Sequence, residues 1–484
     1  MTAIAQPTAA PPWRALPVVL TATFMALLDV FVVNVAAPAI QADLDLSPGA
    51  VQWLVAAYVL PYAVLLVTGG RVGDALGRRR TLQLGLGLFT LASIGCGAAP
   101  TEATLIAARA LQGAGAALMT PQVLTVIQVE FPPADRARCM AWFGVVAGVG
   151  AVAGQLVGGS LIALDVLDLG WRSVFLVNVP IGLTAIAAAS RLVPESRAAE
   201  ARRIDRGGVV LSAVTLLLVV LPIVQGREAG WPWWVPAMLV AAVATGALWW
   251  RHEERVTARG EAPLVDLRLL RLAGFRDGIS LVTAMYCAMP CVFLVLAFYL
   301  QSGHGLSALE SAAVFTPLCV SFVGASFAAP RLLAAHGPRA LVAGAAYTAG
   351  AAAIVGAVVL SDPDGLPTAP LCVALFVLGF GPGMMMPSSV RAALETVPPA
   401  LAGSAAGVVT TIQQVGNVLS VAIAGVIFFG VVGDAPSSAD YAHGFAAALV
   451  WTVAVALVGA TLALRMAGAP TRAREALAPG GRRT

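Results

Sequence analysis

The chain has 484 residues, of which 59% are hydrophobic and only 11% are charged. Its mean hydropathy of +0.86 excludes an ordinary water-soluble domain and indicates a protein that lives in lipid. The formal net charge is +4, but every basic residue is an arginine, and the arginines lie in short segments between apolar runs. That scattered distribution argues against a nucleic-acid partner.

Fourteen apolar runs are each long enough to cross a bilayer, which takes about 20 residues of α-helix. The first run has no short apolar region followed by a cleavage site, so we expect a span rather than a removable leader. The sequence therefore predicts an all-α integral membrane protein. In chain order the predicted spans are 15–37, 51–69, 81–99, 104–126, 140–163, 173–191, 208–224, 234–250, 278–301, 308–330, 339–360, 367–388, 403–431 and 444–466.

The arginines divide unevenly between the loops that these spans would create. If both chain ends lie on one side, that side holds 26 of the 29 arginines; the other side holds only Arg172 and Arg227, and Arg109 lies inside a span. Because basic loops face the cytoplasm, we expect a multi-pass plasma-membrane protein with both termini inside. Several of the external loops are acidic instead, as at Asp43 and Asp165.

The spans fall into a six, two, six order. Residues 1–191 hold a first bundle of six helices, and residues 192–277 hold basic linkers and an inserted two-helix hairpin. Residues 278–466 hold a second bundle of six, and residues 467–484 form a cytoplasmic tail. Two similar halves about an axis along the membrane normal predict a cavity between them that opens to either side in turn.

The loop after the second span predicts a moving part on the cytoplasmic side. Its glycines let two helix ends approach closely, and its aspartate can accept hydrogen bonds from a helix N-terminus. A faint echo of this loop, without the aspartate, occurs at 331–339 in the second bundle. The predicted cytoplasmic gate consists of Gly70, Gly73, Asp74, Gly77, Arg78 and Arg79.

Two ionisable residues, Asp29 and Arg109, lie deep within predicted spans. Such groups cost about 2.5–3.5 kcal/mol on insertion scales, so they commonly serve a function. At 1.5 Å per residue the two lie roughly 12 and 8 Å from the outer ends of their helices, at similar depths. We expect both to face the central cavity, where Arg109 lowers the proton affinity of Asp29 when close and restores it on separation. The alternative is a permanent structural ion pair.

The fifth span is rich in glycine. Gly150, Gly154 and Gly158 recur every four residues and share one helix face, beside Gln155 and Gly159. Such a face lets another helix approach closely and gives a smooth surface along which spans can slide or bend. The same pattern is also typical of ordinary helix packing.

Aromatic and sulfur-containing side chains cluster in the ninth span, and a polar set lies in the thirteenth. Together they could form an adaptable pocket for an apolar organic molecule, or they could simply pack helices. The candidate cavity residues are Tyr286, Met289, Phe293, Gln413 and Asn417, with Asn34 from the first span and Gln112 from the fourth.

Six cysteines are scattered along the apolar runs without CxxC spacing or neighbouring histidines. We therefore expect no disulfide, metal site or cofactor. The chain has neither an HExxH motif nor a GxxxxGK[ST] loop, which argues against a membrane metalloenzyme and an ATP-driven pump. The expected partners are the lipid bilayer, protons and a small-molecule substrate, handled by a monomer.

Several motifs together resemble the fourteen-span drug/proton antiporters of the major facilitator superfamily over nearly the whole chain. The loop at 70–80 is similar to the superfamily's motif after the second helix. Residues 105–115 resemble its fourth-helix motif, which implies a role for Arg109 in proton transfer. Residues 28–38 resemble the first-helix motif of the fourteen-span branch, and 171–182 resemble that branch's marker at the sixth helix.

One position departs from the family pattern. The fifth-helix motif carries a proline after a glycine, whereas Gln155 follows Gly154 here and can place a hydrogen-bonding group near the cavity. The resemblance implies two bundles with the inserted hairpin, and proton-coupled export of small amphipathic drugs or antibiotics by alternating access. The alternative is proton-coupled transport of one specific endogenous metabolite.

Overall fold

The architecture was taken from a computed structural model of the chain. It describes residues 13–197, 205–227, 229–261, 263–398, 401–433 and 436–468, without the side chains of 133, 137, 151, 166 and 402–404. Most of both predicted tails, 1–12 and 469–484, and residues 198–204 of the basic linker lie outside these ranges.

The described residues form sixteen α-helices and no β-strand, in agreement with the all-α prediction. In chain order these are α1 Ala15–Leu44, α2 Pro48–Leu76, α3 Arg78–Gly97, α4 Glu102–Glu130, α5 Pro133–Leu164, α6 Ser173–Leu176, α7 Asn178–Leu192, α8 Arg206–Gly226, α9 Trp234–Ala258, α10 Ala273–Ala288, α11 Pro290–Phe298, α12 Ala308–His336, α13 Arg339–Ser361, α14 Thr368–Glu395, α15 Ala402–Val432 and α16 Ser438–Gly468.

The helices form fourteen rods within the described residues, because α6 continues into α7 and α10 into α11. Each predicted span falls on one rod. Twelve rods are long and apolar enough to cross a membrane. The rods α3 and α9 are not among them, since α3 is short and begins with three arginines and α9 ends in a charged segment. A membrane-spanning role for these two stays a prediction.

The connections between rods define two faces of the molecule. The arginine-rich face holds the start of α1 and the connections α2–α3, α4–α5, α7–α8, α9–α10, α12–α13 and α14–α15. The acidic face holds the remaining connections. Several helices that start at the acidic face are capped by hydroxyl side chains: Ser47 accepts from the N–H of Ala50 and Ser307 from that of Glu310, which satisfies otherwise free backbone donors.

Small residues let the helices of the N-terminal half, α1–α7, approach backbone to backbone. A Cβ atom on Gly113 of α4 would lie 2.0 Å from the carbonyl oxygen of Tyr58 on α2. A Cβ atom on Gly69 would lie equally close to the carbonyl oxygen of Ala117, also at 2.0 Å. Membrane helices gain no hydrophobic energy from pairing in lipid, so this close contact is a main source of their association.

The N-terminal half meets the C-terminal half, α10–α16, most closely near the acidic face. There Phe31 of α1 and Phe293 of α11 form an edge-to-face pair with ring centroids 5.0 Å apart. The amide of Gln301 donates to the carbonyl oxygen of Val35 at 3.0 Å. On α15, the Cβ position of Gly425 lies 2.6 Å from the side-chain amide carbon of Gln52 on α2. The halves are therefore closed on this side.

A pocket of about 450 Å³ lies at the arginine-rich face, between the first turns of α1 and the facing part of α5. Its wall is almost wholly apolar and carries two tryptophans. The lining residues are Trp13, Leu16, Pro17, Leu20, Thr21, Phe24, Trp142 and Val146.

The hairpin of α8 and α9 packs against α2 of one half and α15 of the other. Within the hairpin, the hydroxyl of Thr215 donates to that of Thr245 at 3.1 Å. Gly246 faces the same threonine, with its Cβ position 3.6 Å from the Thr215 methyl group. The hairpin is thus a tight pair that touches both halves.

Replacing Gly113 by Ala should lower the free energy of unfolding by about 1–3 kcal/mol, because the added methyl group overlaps the Tyr58 carbonyl. Gly87 of α3 is the matched control: its Cβ position has no atom within 4 Å, so Gly87→Ala should leave stability unchanged or raise it by about 1 kcal/mol. Thermal unfolding of both variants in detergent measures the difference, and equal midpoints would contradict the packing described for α2 and α4.

Candidate functional site

Asp29 of α1 and Arg109 of α4 form an ion pair inside the N-terminal half. The guanidinium Nη1 of Arg109 donates to Oδ2 of Asp29. The carboxylate side chain is completely buried and the arginine side chain is 1% exposed. The two residues that the sequence placed at similar depth therefore meet, in surroundings where a single charge without its partner would be very costly.

Hydrogen bonds occupy the other oxygen of the carboxylate. Oδ1 of Asp29 accepts from Nε2 of Gln112 at 3.1 Å and from Nδ2 of Asn178 at 3.2 Å. The Gln112 amide also donates to the hydroxyl of Ser93 at 2.8 Å, and its Oε1 accepts from Arg109 at 2.8 Å. Helices α1, α4 and α7 thus meet at one carboxylate, and α3 supports it through Gln112.

The guanidinium of Arg109 is held from two further directions. Its Nε donates to the carbonyl oxygen of Leu54 on α2 at 2.9 Å. Its central carbon lies 4.5 Å from the ring centre of Tyr58 and 5.8 Å from that of Phe175. Cation–π contact of this kind stabilises a desolvated cation, so the arginine is fixed in one orientation.

The site differs from the sequence prediction in its exposure. Asp29 and Arg109 were expected to face the central cavity, but in this conformation both are enclosed by the N-terminal half. Gln112, predicted to line the substrate cavity, is completely buried as a ligand of the carboxylate. Ser93 and Asn178 were not assigned a role, although Asn178 lies in the motif at the sixth helix. Their polarity inside apolar spans was the available signal.

The loop at the end of α2 is clamped by the segment that follows α7. Gly77 has φ +108°, a conformation that favours glycine, and a Cβ atom there would lie 2.3 Å from Oε1 of Glu195. That carboxylate accepts from the backbone N–H of Arg79 at 3.2 Å and forms ion pairs with Arg79 at 3.7 Å and Arg80 at 3.6 Å. Glu195 was not among the predicted gate residues.

Asp74 and Arg78 complete the clamp. The Arg78 side chain donates to Asp74 at 3.3 Å and to the Ser196 hydroxyl at 3.2 Å. Asp74 is therefore bound by an arginine four residues along rather than by a helix N-terminus. A Cβ atom on Gly73 would lie 2.0 Å from the Gln122 amide oxygen, whereas one on Gly70 would make only an ordinary contact at 3.7 Å.

The glycine face of α5 packs directly on α1, next to the ion pair. A Cβ atom on Gly154 would lie 2.8 Å from the carbonyl oxygen of Leu28, the residue before Asp29. Gly150 and Gly158 face α1 one turn to either side, with Cβ positions 3.2 and 2.5 Å from its side chains. A shift of α5 would therefore be felt by α1 at the level of the carboxylate.

The adjacent face of α5 packs on α12 of the other half. The Cβ position of Gly159 is 2.7 Å from the Ala308 carbonyl oxygen, and that of Gly148 is 3.2 Å from Val323. Gln155 lies between these glycines at helical spacing, so it belongs to the same face. Its side chain is 1% exposed, and neither its amide oxygen nor its amide nitrogen has a hydrogen-bond partner.

The predicted cavity residues separate into two groups. Tyr286 and Gln413 are brought together, since the amide of Gln413 donates to the Tyr286 hydroxyl at 2.6 Å. Asn417 donates to Gln414 on the same partly exposed face of α15 at 3.0 Å. These polar groups lie on facing helices α10 and α15, where a cavity ligand could exchange hydrogen bonds with them.

The second group is buried in the closed side of the bundle. Phe293 stacks on Phe315 with ring centroids 6.0 Å apart and is 7% exposed, and Met289 is 2% exposed. Asn34 is 5% exposed and donates to the carbonyl oxygen of Val30 at 3.2 Å. In this conformation the three residues are therefore buried and do not line an open cavity.

A bundle of long apolar helices in two halves, with a sealed ion pair and a pocket at one face, is typical of a membrane transport protein. The family model described as Major Facilitator Superfamily matches residues 19–421. The chain belongs to the major facilitator superfamily and is a multi-pass integral membrane protein.

Curated relatives match the chain over most of its length. It is 40% identical to the probable actinorhodin transporter of Streptomyces coelicolor, over 91% of this chain and 76% of that protein. It is 34% identical to a puromycin resistance protein of Streptomyces alboniger, over 96% of this chain and 93% of the relative. It is 33% identical to the tetracenomycin C resistance and export protein of Streptomyces glaucescens, over 87% of this chain and 77% of that protein.

Solved structures share the fold at low identity. A D-xylose–proton symporter superposes with a TM-score of 0.66 at 15% identity, over 93% of this chain and 97% of that one. A bacterial homologue of the human lysosomal transporter Spinster, in an inward-facing and unoccupied conformation, superposes with a TM-score of 0.66 at 16% identity. The match covers 94% of this chain and 97% of that one. This likeness is to the architecture alone.

Removing one partner of the buried pair should destabilise the protein strongly. Arg109→Ala leaves the Asp29 carboxylate buried without a counter-charge, which we expect to cost about 3–5 kcal/mol. The control is Arg172→Ala, because its ion pair with Asp43 at 2.8 Å is partly exposed and should contribute about 1 kcal/mol or less. Unfolding in detergent tests both.

Adding Asp29→Asn to Arg109→Ala removes the stranded charge, so part of the lost stability should return. If the double variant were as unstable as the sum of the two single changes, the buried charge would not be the cause.

Proposed function

We propose that this protein is a proton-coupled exporter of small amphipathic drugs or antibiotics, which works as a monomer in the plasma membrane by alternating access. The observation that carries the proposal is the sealed Asp29–Arg109 pair, a titratable carboxylate held inside the moving bundle. Export is supported by the relatives, whose names describe antibiotic transport, resistance and export.

The arginine-rich face is the cytoplasmic face in this proposal, with both termini inside. The halves are closed against each other near the acidic face, through Phe31, Phe293 and Gln301. The apolar pocket lies at the opposite, arginine-rich face. The conformation is accordingly inward-facing and able to receive a compound from the cytoplasm or the inner leaflet.

Proton coupling follows from the chemistry of the pair. An ionised Asp29 attracts Arg109 strongly in a low dielectric, whereas a protonated Asp29 does not. Protonation therefore releases the guanidinium from α1 while the hydrogen bonds from Gln112 and Asn178 can persist. The carboxylate would load a proton when open to the outside and lose it when Arg109 returns.

The glycine face of α5 provides a route from the proton site to the halves. Gly154 touches the backbone of α1 beside Asp29, and Gly159 touches the backbone of α12 in the other half. No side chains separate these backbones, so a change in the α1–α4 distance shifts α5 against α12. In this way proton binding would alter the seam between the halves.

The expected substrate is apolar on one side and able to form hydrogen bonds on the other. The pocket near the arginine-rich face offers Trp13, Phe24 and Trp142 for stacking. On the facing helices α10 and α15, Tyr286 and Gln413 bond each other and could turn to a ligand. An amphipathic organic molecule fits both surfaces better than an ion or a sugar does.

Asp29→Asn should abolish substrate-driven proton movement, because an amide cannot take up or release the proton. In liposomes with an imposed pH gradient, we expect proton release on addition of a transported compound to fall at least about tenfold. The control is Asp43→Asn. Asp43 lies at the acidic face and accepts hydrogen bonds from Trp171 and Arg172, so this variant should keep its proton coupling. Intact coupling in folded Asp29→Asn protein would refute the proposal.

The runner-up function is proton-coupled transport of one specific endogenous metabolite. It is favoured by the first of the relatives described above, which is named for a single compound. A panel of chemically unrelated amphipathic compounds in the same liposomes separates the two. Proton release by several compounds supports multidrug export, and release by one supports the dedicated transporter.

We also propose that all fourteen rods span the bilayer, with bundles at 1–191 and 278–466 and the hairpin between them. The connection between α8 and α9 should then face outward. A cysteine in place of exposed Ala229 should react with a membrane-impermeant maleimide added outside intact cells, and one in place of exposed Glu261 should react only after the cells are opened. Labelling of both cysteines from the same side would mean that α9 does not span, and the reverse pattern would mean that the orientation is inverted.

A further inference from the structure

A pair of acids lies at the arginine-rich face, far along the chain from Asp29. Asp205 caps the start of α8: its Oδ1 accepts from the N–H of Gly208 at 2.9 Å and contacts Nε2 of His252 at 2.8 Å. Glu253 near the end of α9 is completely buried, and its Oε2 accepts from the backbone N–H of Val265 at 3.2 Å.

Within the described part of the chain, each acid keeps one buried oxygen without a well-formed hydrogen bond, although the N–H of Leu264 lies near enough to both acids to favour their ionised forms. These oxygens are Oδ2 of Asp205 and Oε1 of Glu253. Both lie 2.5 Å from the point where a Cβ atom would sit on Gly208, so the two oxygens are within twice that distance of each other. Glycine at this position is what allows both carboxyl groups to point into the same small space.

Two carboxylates facing one another in a buried space cannot both stay ionised at low cost, because the ring of His252 contacts Oδ1 of Asp205 and not the two oxygens that face each other. One proton removes the repulsion and lets a carboxyl O–H donate to the opposite oxygen. Within the described residues, no group of three or more acids, cysteines and histidines is arranged to hold a metal ion.

The surroundings place the proton on Glu253. Burial, the largest cause, raises the pKa of Glu253 to about 7, and the nearby charge of Asp205 adds to that rise, against the bond from Val265. Burial acts the same way on Asp205, but bonds from Gly208 and His252 outweigh it and lower its pKa.

The groups that face this pair come from each element packed around it. They are Asp205 at the N-cap of α8, His252 on α9, and the backbone N–H groups of Leu264 and Val265 on the linker 259–272, which the structure describes except for residue 262. That linker also carries the Asp266–Arg268 ion pair at 2.6 Å.

We propose that Asp205 and Glu253 form a second proton-binding site, which holds one proton between them and thereby docks the linker 259–272 onto the hairpin. The linker is a bridge between the halves: its Pro263 carbonyl accepts from Arg71 of α2, and its Leu267 and Leu269 pack with Phe275 of α10. The proton thus controls a connection that reaches from the gate loop to the C-terminal half.

The direction of the pH effect follows from the raised pKa. A free glutamate has a pKa of about 4.3, so the docked linker binds more protons than the released one between that value and about 7. Docking is therefore strongest in acid, weakens as pH rises through this window, and is weakest above it. Acidification of the cytoplasm would fasten the linker.

Hydrogen–deuterium exchange of the full-length protein in detergent tests this site without substrate or a proton gradient, so its failure is distinct from failure of the proposed function. The protection of the wild-type backbone amides in 259–272 is divided, at each pH, by the protection of the same amides in Glu253→Gln. This ratio should fall about tenfold between pH 6 and pH 8. Glu253→Gln mimics the protonated acid and should stay docked throughout.

Two further variants make the test specific. Glu254→Gln changes the exposed neighbouring acid, which bonds only Trp250, and should retain the wild-type pH dependence. Asp205→Asn keeps a good helix cap but removes one charge, so the loss of protection should move to lower pH.

Three results would overturn the proposal. They are a wild-type protection that does not depend on pH after normalisation, a Glu254→Gln variant that behaves like Glu253→Gln, and recovery of protection at pH 8 on addition of a metal cation instead of acid.

Discussion

The protein is organised around an attraction between two charges that have been removed from water. At a low effective dielectric, Asp29 and Arg109 attract each other far more strongly than they would at a surface, but both have also lost their hydration. The balance holds only while the carboxylate is ionised and every remaining donor finds an acceptor. Five helices contribute to that condition, and close packing at positions such as Gly113 keeps them in place. A proton is the smallest change able to upset it.

The lengths of the apolar runs and the depths of the charged residues within them explain what could be predicted from the sequence. Apolar runs set where the helices lie, and 1.5 Å of rise per residue brings Asp29 level with Arg109. Neither quantity gives the rotation of a helix about its own axis, which decides whether a side chain points into a cavity or into its own bundle. That is why Gln112 was placed in the substrate cavity and Asn178 was given no role, although both bind the carboxylate.

The closed side of the bundle and the linker contacts were missed for a related reason. Met289 and Phe293 look the same in sequence whether they line a cavity or seal it, because alternating access exposes and buries the same residues in turn. The clamp by Glu195 and the docking of Val265 involve irregular segments, whose contacts follow no helical period. The family likewise supplies the architecture, shared at 15% identity with a sugar symporter, but not the site chemistry.

The unpartnered amide of Gln155 has a consequence for how long the halves can stay together. A buried amide without partners forfeits hydrogen bonds that water would provide, at a cost of about 1–3 kcal/mol. The aromatic rings that meet across the seam, Phe31 of α1 and Phe293 of α11, favour closure by hiding apolar surface. Gln155 opposes that closure, because separating α5 from α12 would let water form hydrogen bonds with its amide. Without such a penalty, the closed contact between the halves would be more stable and would open more slowly.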